Sequence, residues 1–390
     1  MTTTLMVSAG AILALAARAL AVSADAGAAS PGADGAARTA LAAPPDQKFT
    51  VDVHGYMHFR FNWNHRDGDS TPGAGDETTT GFQAAATKLT VAGMIGSEAL
   101  TYGVMLRFTE GAGLVDDAWG QYAFEGGTAV RWGQFKLPIL RDETMSDTAQ
   151  LAAARSVTNS VFSQGRSQAV QVSREMERFR VAGAFSDGTR TASSDYTAAS
   201  EADFALTGRA DFKWAGDWKQ GRDFTSFQGQ PYFGLVGGAA HYQSGGETGG
   251  TVDQDIFLGT VDASVEGNGW NAYAAFIYRT IDPATGSDFT DMGFIIQGGI
   301  FVAPTWELFG RFDTVMPDDD RTTDESFSTI TVGATHYFIP DSHAAKFTVD
   351  LQVFLDEQAA SIAPANTLTG LLPSSEDGQF HLRAQMQLLF

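Results

Sequence analysis

The sequence predicts an all-β fold, a 16-stranded antiparallel transmembrane β-barrel. Three observations carry that prediction. Sixteen candidate strands can be counted, and several alternate apolar and polar residues with a period of two, as a strand with unlike faces must. The links between them mostly alternate between long and short. The 390 residues hold 43 Gly, 28 Phe, 12 Pro and no Cys, which suits tight turns and aromatic faces and leaves no disulfide framework.

Taken in order, the chain begins with an apolar, Ala-rich run at 5–17, too short for a spanning helix of about 20 residues. It reads as part of a signal peptide over 1–26, with a cut near Ala24-Asp25-Ala26. No Lys or Arg precedes the run, and Arg18 follows it. Residues 27–47 are rich in Ala, Gly and Pro without a period, and read as a linker. The barrel occupies 48–390.

Its strands are expected near 49–63, 83–95, 99–109, 115–124, 128–136, 168–175, 178–186 and 203–213. The second eight fall near 231–243, 255–266, 270–281, 291–302, 305–314, 328–338, 345–355 and 379–390. In the first, Val51, Val53, Met57, Phe59, Phe61 and Trp63 share one face; Asp52, His54, His58, Arg60 and Asn62 share the other. In the last, Phe380, Leu382, Ala384, Met386, Leu388 and Phe390 oppose His381, Arg383, Gln385 and Gln387. The tenth is ambiguous in phase and the ninth is apolar on both faces. Trp63, Tyr102, Trp132, Trp270, Tyr278 and Trp306 lie near strand ends on the apolar set, as interfacial aromatic girdles do.

A soluble sandwich has no reason to sort loop length by strand parity, whereas a membrane barrel has short turns at one end and long loops at the other. Two links break the pattern: 110–114 is short and 214–230 is long. Closure follows because lipid cannot satisfy a free sheet edge.

The net charge of −21 excludes a nucleic-acid partner of the usual kind. It is unevenly placed. The polar phases put Arg60, Lys88, Arg107, Arg131, Arg178, Arg180, Arg209, Lys213, Arg279, Arg311 and Arg383 inside. They put Asp52, Asp117, Glu175, Asp211, Glu307, Asp313 and Asp350 there too, leaving a mildly cationic lumen. Arg178 and Arg180, two residues apart, form an inward ladder on one strand. Selectivity in a wide pore comes from such side-chain charges at a constriction.

Several segments resemble the phosphate-selective porin O/P family. They are Ala118-Trp119-Gly120-Gln121-Tyr122, Val130-Arg131-Trp132-Gly133-Gln134-Phe135-Lys136-Leu137-Pro138 and Arg141-Asp142-Glu143. Gln168-Ala169-Val170-Gln171-Val172-Ser173, Gly298-Gly299-Ile300-Phe301 with Trp306-Glu307, Arg311-Phe312-Asp313 and Arg383-Ala384-Gln385-Met386-Gln387 complete the set, from about residue 49 to the last. The resemblance implies an outer-membrane porin, often a homotrimer, whose third external loop, here 137–167, folds inward as a constriction loop, with a short helix over 143–155. It implies passage of small anions such as phosphate along lumen cations. Lys136, Arg141 and Arg155, with Arg166, belong to the segment that would carry them, beside Asp142, Glu143 and Asp147. These charges either face one another across the opening or pair to hold the loop to the wall.

A cation-preferring or non-selective porin and a non-conducting surface-interaction barrel are the alternative readings. His54 and His58 stand about 13 Å apart along one strand face, too far for one metal. Asp318-Asp319-Asp320 with Asp324 and Glu325 reads as a solvated acidic loop. There is no cysteine nucleophile, Gly-x-Ser-x-Gly, His-Glu-x-x-His or phosphate-cradling Gly loop, so neither an enzyme nor a cofactor is expected.

Overall fold

The computed structural model describes residues 39–42, 49–66, 78–109, 112–321, 326–359 and 361–390. The expected signal peptide, most of the linker, 67–77 of the first long loop, and Asp324 and Glu325 lie outside the described residues.

Seventeen strands form one sheet. They are β1 Thr39–Ala42, β2 Thr50–His65, β3 Thr78–Ile95, β4 Ser97–Thr109, β5 Ala112–Ala123, β6 Thr128–Phe135, β7 Ser167–Glu175, β8 Phe179–Ser186 and β9 Phe204–Ala215. Then come β10 Phe233–Ser244, β11 Gln254–Gly267, β12 Trp270–Pro283, β13 Phe289–Ala303, β14 Trp306–Met316, β15 Phe327–Tyr337, β16 Ala345–Phe354 and β17 Phe380–Leu389. From β2 onward each strand pairs antiparallel with the next, and β17 pairs with β2, Phe380 opposite His65 and Leu389 opposite Tyr56. The sixteen-stranded barrel is therefore closed, with no free edge. At the seam Gly55 donates to the Phe390 carbonyl at 2.7 Å and Phe390 donates back at 2.9 Å.

Each expected strand is present, with ends moved by a few residues. β1 is additional. It lies in the stretch read as linker and pairs with the start of β2, Thr39 opposite Val53.

Side chains alternate as the period demands. Phe59, Phe61, Phe82 and Leu206 stand on the outer face, and Phe59 stacks on Phe82 at 5.4 Å between centroids. Trp132, Trp270 and Trp306 are exposed on that face. His58, Arg60, Asn64, Gln385 and Gln387 are buried on the inner one. The alternation is broken at bulges, and one of them bears on the lumen charge. A register shift between Met105 and Leu106 of β4 doubles the inward positions opposite it, so Asp116 joins Asp117 inside.

The segment between β6 and β7, 136–166, turns into the barrel and fills much of its width. It contains α1 Arg141–Thr144, a 3-10 turn Asp147–Ala149 and α2 Val157–Phe162. The helix expected over 143–155 is not formed. Ser146 caps the 3-10 turn by accepting from Thr148 N, and the Ala-rich stretch after it is bound to the wall through Ala153 N and Asp350, at 2.9 Å.

The seat for this loop explains the ambiguous phase of the tenth segment. Ile256 and Leu258 of β11 point inward beside Thr260 and Asp262. Leu258, Ile277, Ile295, Phe309, Val315, Phe327 and Phe354 form an apolar patch on the inner wall. Leu137, Ile139, Leu140, Leu151, Val157 and Phe162 of the loop pack on it. Gly293 makes room, since a Cβ there would lie 2.6 Å from the Phe162 ring. Phe162→Ala is expected to remove about 3–5 kcal/mol of this seating. Protease cleavage within 136–166 and unit conductance should both rise while the barrel stays folded; unchanged values would show that Phe162 does not hold the loop.

Candidate functional site

The loop divides the lumen into two chambers. One, of about 500 Å³, opens toward the short-turn end and is lined by Asp117, Trp119, Arg131, Phe135, Lys136, Arg141, Arg180, Arg209, Asp211 and Arg222. The other, about 490 Å³, opens toward the long-loop end among His58, Arg60, Glu143, Asp147, Arg155, Arg190 and Asn366. Lys136 of the first chamber and Glu143 of the second meet at the boundary. Lys136 Nζ donates to the Glu143 carbonyl at 2.5 Å and lies 3.7 Å from its Oε1.

Most of the expected pore cations are engaged. Arg209 bridges Asp211 and Asp262 and donates to the Ile139 carbonyl at 2.8 Å. Arg279 pairs with Asp291 and donates to the Val161 carbonyl at 3.0 Å. Arg311 lies 3.5 Å from Asp313 and donates to the Ala154 carbonyl at 3.0 Å. Arg60 donates to Gln385 and to the carbonyls of Ala153 (2.6 Å) and Leu368 (2.9 Å). Arg383 is fully buried against Asp350, at 2.6 Å. Arg107 pairs with Asp116, and Lys213 donates to the Gly216 carbonyl. Arg60, Arg209, Arg279 and Arg311 clamp the inward loop to the wall, and Arg107 and Arg383 pair with carboxylates of neighbouring strands.

The Arg178–Arg180 ladder is not formed. Arg178 lies in the exposed turn before β8, which starts at Phe179. Arg180 is on the strand, but Asp211 takes its Nε and Nη2 at 3.1 and 3.0 Å. The cationic surplus of the wall is also lost. Asp116, Asp262, Glu266 and Asp291 face inward besides the expected carboxylates, offset only by Lys346, whose Nζ donates to the Gln150 carbonyl. Asp116 is hidden from sequence reading by the bulge, and the other residues lie at strand margins or in the segment of uncertain phase.

A second set of pairs ties the loop to the opposite wall. Tyr56 donates to Asp147 at 2.7 Å, Lys88 Nζ is 2.9 Å from the same carboxylate, and Arg155 pairs with it from within the loop. Arg166 reaches Asp116 and Asp117 at 3.2 and 2.9 Å. Burial alone raises Glu143, but Lys136, Arg155 and a 2.8 Å hydrogen bond from Asn159 outweigh it and bring its carboxyl down to about 2. Asp147, also desolvated, is held well below its ordinary value by Arg155, Lys88 and Lys136.

Such depressed carboxylates stabilise the fold above their unfolded pKa, about 4, and lose that contribution only as pH falls through the folded value. In Asp142→Asn, which removes the loop carboxyl that burial raises, protease resistance of the loop is therefore expected to be the same at pH 7 and pH 4, and to change only near pH 2. A transition centred near pH 4 would mark these groups as ordinary solvated acids.

Three of the cations lining the first chamber carry no ion pair among the described residues. Arg131 is held flat, its Nε bonded to Gln121 at 3.0 Å and its guanidinium 4.5 Å from the Trp119 ring. Trp119 in turn lies against Gly103, where a Cβ would come within 2.6 Å of it. Arg141 is 3 % exposed, donates from Nη2 to the Gly221 carbonyl at 2.9 Å, and has a buried Nε with no partner among the described residues. Arg222 is exposed to the chamber. The acids of the same lining, Asp117 and Asp211, are already engaged by Arg166, Arg180 and Arg209. Arg131 and Arg141 were among the expected residues; Arg222 was not, because it lies in the long exceptional link.

The sequence matches no protein-family model and no curated protein. Solved structures share its fold. The outer-membrane-expressed OmpT of Vibrio cholerae aligns at TM-score 0.61 and 11% identity over 90% of this chain and 100% of that one. An anion-selective porin from Comamonas acidovorans aligns at 0.59 and 12%, over 88% and 100%. A trimer form of in-vitro folded OmpT from Vibrio cholerae aligns at 0.58 and 12%, over 88% and 99%. At these identities the likeness is one of porin fold, and it does not single out the phosphate-selective O/P family.

Proposed function

We propose that the protein is an outer-membrane channel for passive diffusion of small hydrophilic solutes, with a preference for small anions such as phosphate. The single observation that carries the anion preference is the first chamber, where Arg131 and Arg222 face open space, Arg141 stands buried in the lining without an ion pair, and every lining carboxylate is paired. Unpaired guanidiniums there replace part of an anion's hydration as it passes. The outward apolar face is the lipid-contacting surface, and the short-turn end is the periplasmic one. A homotrimer is the proposed assembly, no nucleic acid takes part, and no enzymatic step belongs to the proposal. The acidic character of the chain acts on the mouths, where charge is screened within about 8–10 Å at physiological salt.

A weakly selective channel is the second reading. The observation that favours it is the balance of charges on the wall, most of which neutralise one another. Zero-current potentials of purified protein in planar bilayers under a KCl gradient, then a phosphate gradient, separate the readings. A potential of the sign set by the anion supports the proposal. A potential near zero supports the weakly selective channel, the opposite sign a cation-preferring one, and absence of conductance a structural barrel.

A further inference from the structure

The link between β9 and β10, 216–232, is long where its neighbours at the same end are short. It enters the barrel. At its start Trp218 donates to the Met176 carbonyl at 2.8 Å, and its ring carries Arg180 and Lys213 at 4.9 and 5.3 Å. At its middle, Phe224 lies 4.7 Å from the Tyr273 ring, inside the wall, and its amide donates to the Ala149 carbonyl of the inward loop at 3.3 Å. Further on, Ser226 donates to the Gly267 carbonyl at 2.6 Å, and Phe227 packs between Tyr337 and Phe301 at 5.1 and 5.4 Å. The link thus runs from the β7–β8 turn across the mouth to β13 and β15. Phe224 and Phe227 are buried, worth about 1.5–3 kcal/mol each in transfer from water.

The backbone of this link is also set locally. Asp217 accepts from Lys219 N, and Gln220 Oε1 accepts from Asp217 N, which preforms the 3-10 turn Gln220–Arg222. The turn aims its Gly221 carbonyl at Arg141 and leaves Arg222 on the chamber side. No side chain fits at Gly221: a Cβ would lie 2.7 Å from the Phe233 ring.

We propose that this link is a second constriction element, a fixed floor that enters from the mouth opposite the inward loop, and that Arg222 on it is a specificity-determining residue for anions. The proposal rests on the channel reading above and places the exit filter of the first chamber on a segment separate from the inward loop. Solutes leaving that chamber pass the edge of the floor beside Arg222. The charge at this edge then sets the sign of the ion admitted, and the bulk of the floor sets the conductance.

The chain has no cysteine, so Arg222→Cys places one thiol at the edge. In planar bilayers a cationic methanethiosulfonate reagent added on the short-turn side is expected to restore the anion preference that Arg222→Cys loses. An anionic one is expected to move the zero-current potential toward cations, about threefold in permeability ratio. If neither reagent moves it, Arg222 is not at the passage and the proposal fails. A second variant replaces 217–229 by Gly-Asn-Gly, with folding verified by the heat-modifiable gel shift. Unit conductance is expected to rise about twofold, and an unchanged value would overturn the floor. If the native protein does not conduct, the channel reading fails. The shortened variant then still decides: conductance appearing on removal of the link supports a floor, and continued silence overturns it.

Discussion

Asp350→Ala is expected to cost about 3–5 kcal/mol of barrel stability, because it leaves the Arg383 guanidinium buried and unpaired. Both side chains are fully buried, with Arg383 Nε and Nη2 at 2.6 and 3.0 Å from the carboxylate. The loss has a second part. Asp350 Oδ2 also accepts from Ala153 N at 2.9 Å, and Arg383 Nη1 donates to the Thr369 carbonyl at 3.1 Å. One residue therefore ties the inward loop, and its partner ties the 355–379 loop, to neighbouring strands. Urea unfolding followed by the gel shift measures the loss. Replacing both members by apolar residues of similar size should recover much of it, since the desolvation cost of the pair goes with its attraction. Neither residue lines a chamber. Anion preference should therefore move little in any Asp350 variant that still folds. A loss under about 1 kcal/mol would show that the pair is dispensable.

Arg131→Glu is expected to have the largest effect on selectivity, a fall on the order of tenfold in the anion-to-cation permeability ratio. Reversing a charge that an ion passes at about 8 Å in a watery lumen changes its energy by roughly 1 kcal/mol, with opposite sign for anion and cation. Arg131 makes no ion pair among the described residues, so its charge is not cancelled locally, and Trp119 and Gln121 keep it from turning away. Arg180→Glu is the comparison. It removes a cation that Asp211 already neutralises and leaves like charges together, so it should disturb folding more than the intrinsic anion site. Equal zero-current potentials for native protein and Arg131→Glu would remove Arg131 from the passage.

Particular residues show where reading the sequence stops. Arg383 has the right phase to be a pore residue and is inward, yet Asp350, brought beside it by the β16–β17 register, removes it from the solvent path. Arg180 meets Asp211 in the same way across β8 and β9. Parity along a strand is local and tells which face a residue takes. Which residue sits opposite depends on the register, set by turns, bulges and closure around the ring. Asp116 shows the same limit inside one strand, because a single bulge moves it from the outer set to the inner. The apolar inward residues Ile256 and Leu258 blurred the period, and only the loop packed on them shows why they are there.

The sequence by itself determined the sixteen strands of the barrel, which residues face inward on most of them, and which end has most of the long loops. Each of these follows from the two-residue period of a strand and from turn chemistry, which act over a few neighbouring positions. The tertiary structure alone decided which lumen charges remain free. Paired cations became clamps on the inward loop, while Arg131, Arg141 and Arg222 came together from β6, α1 and the β9–β10 link around one chamber. The reason is that an ion pair needs two groups within a few ångströms, and in a closed ring those groups come from strands and loops far apart in the chain.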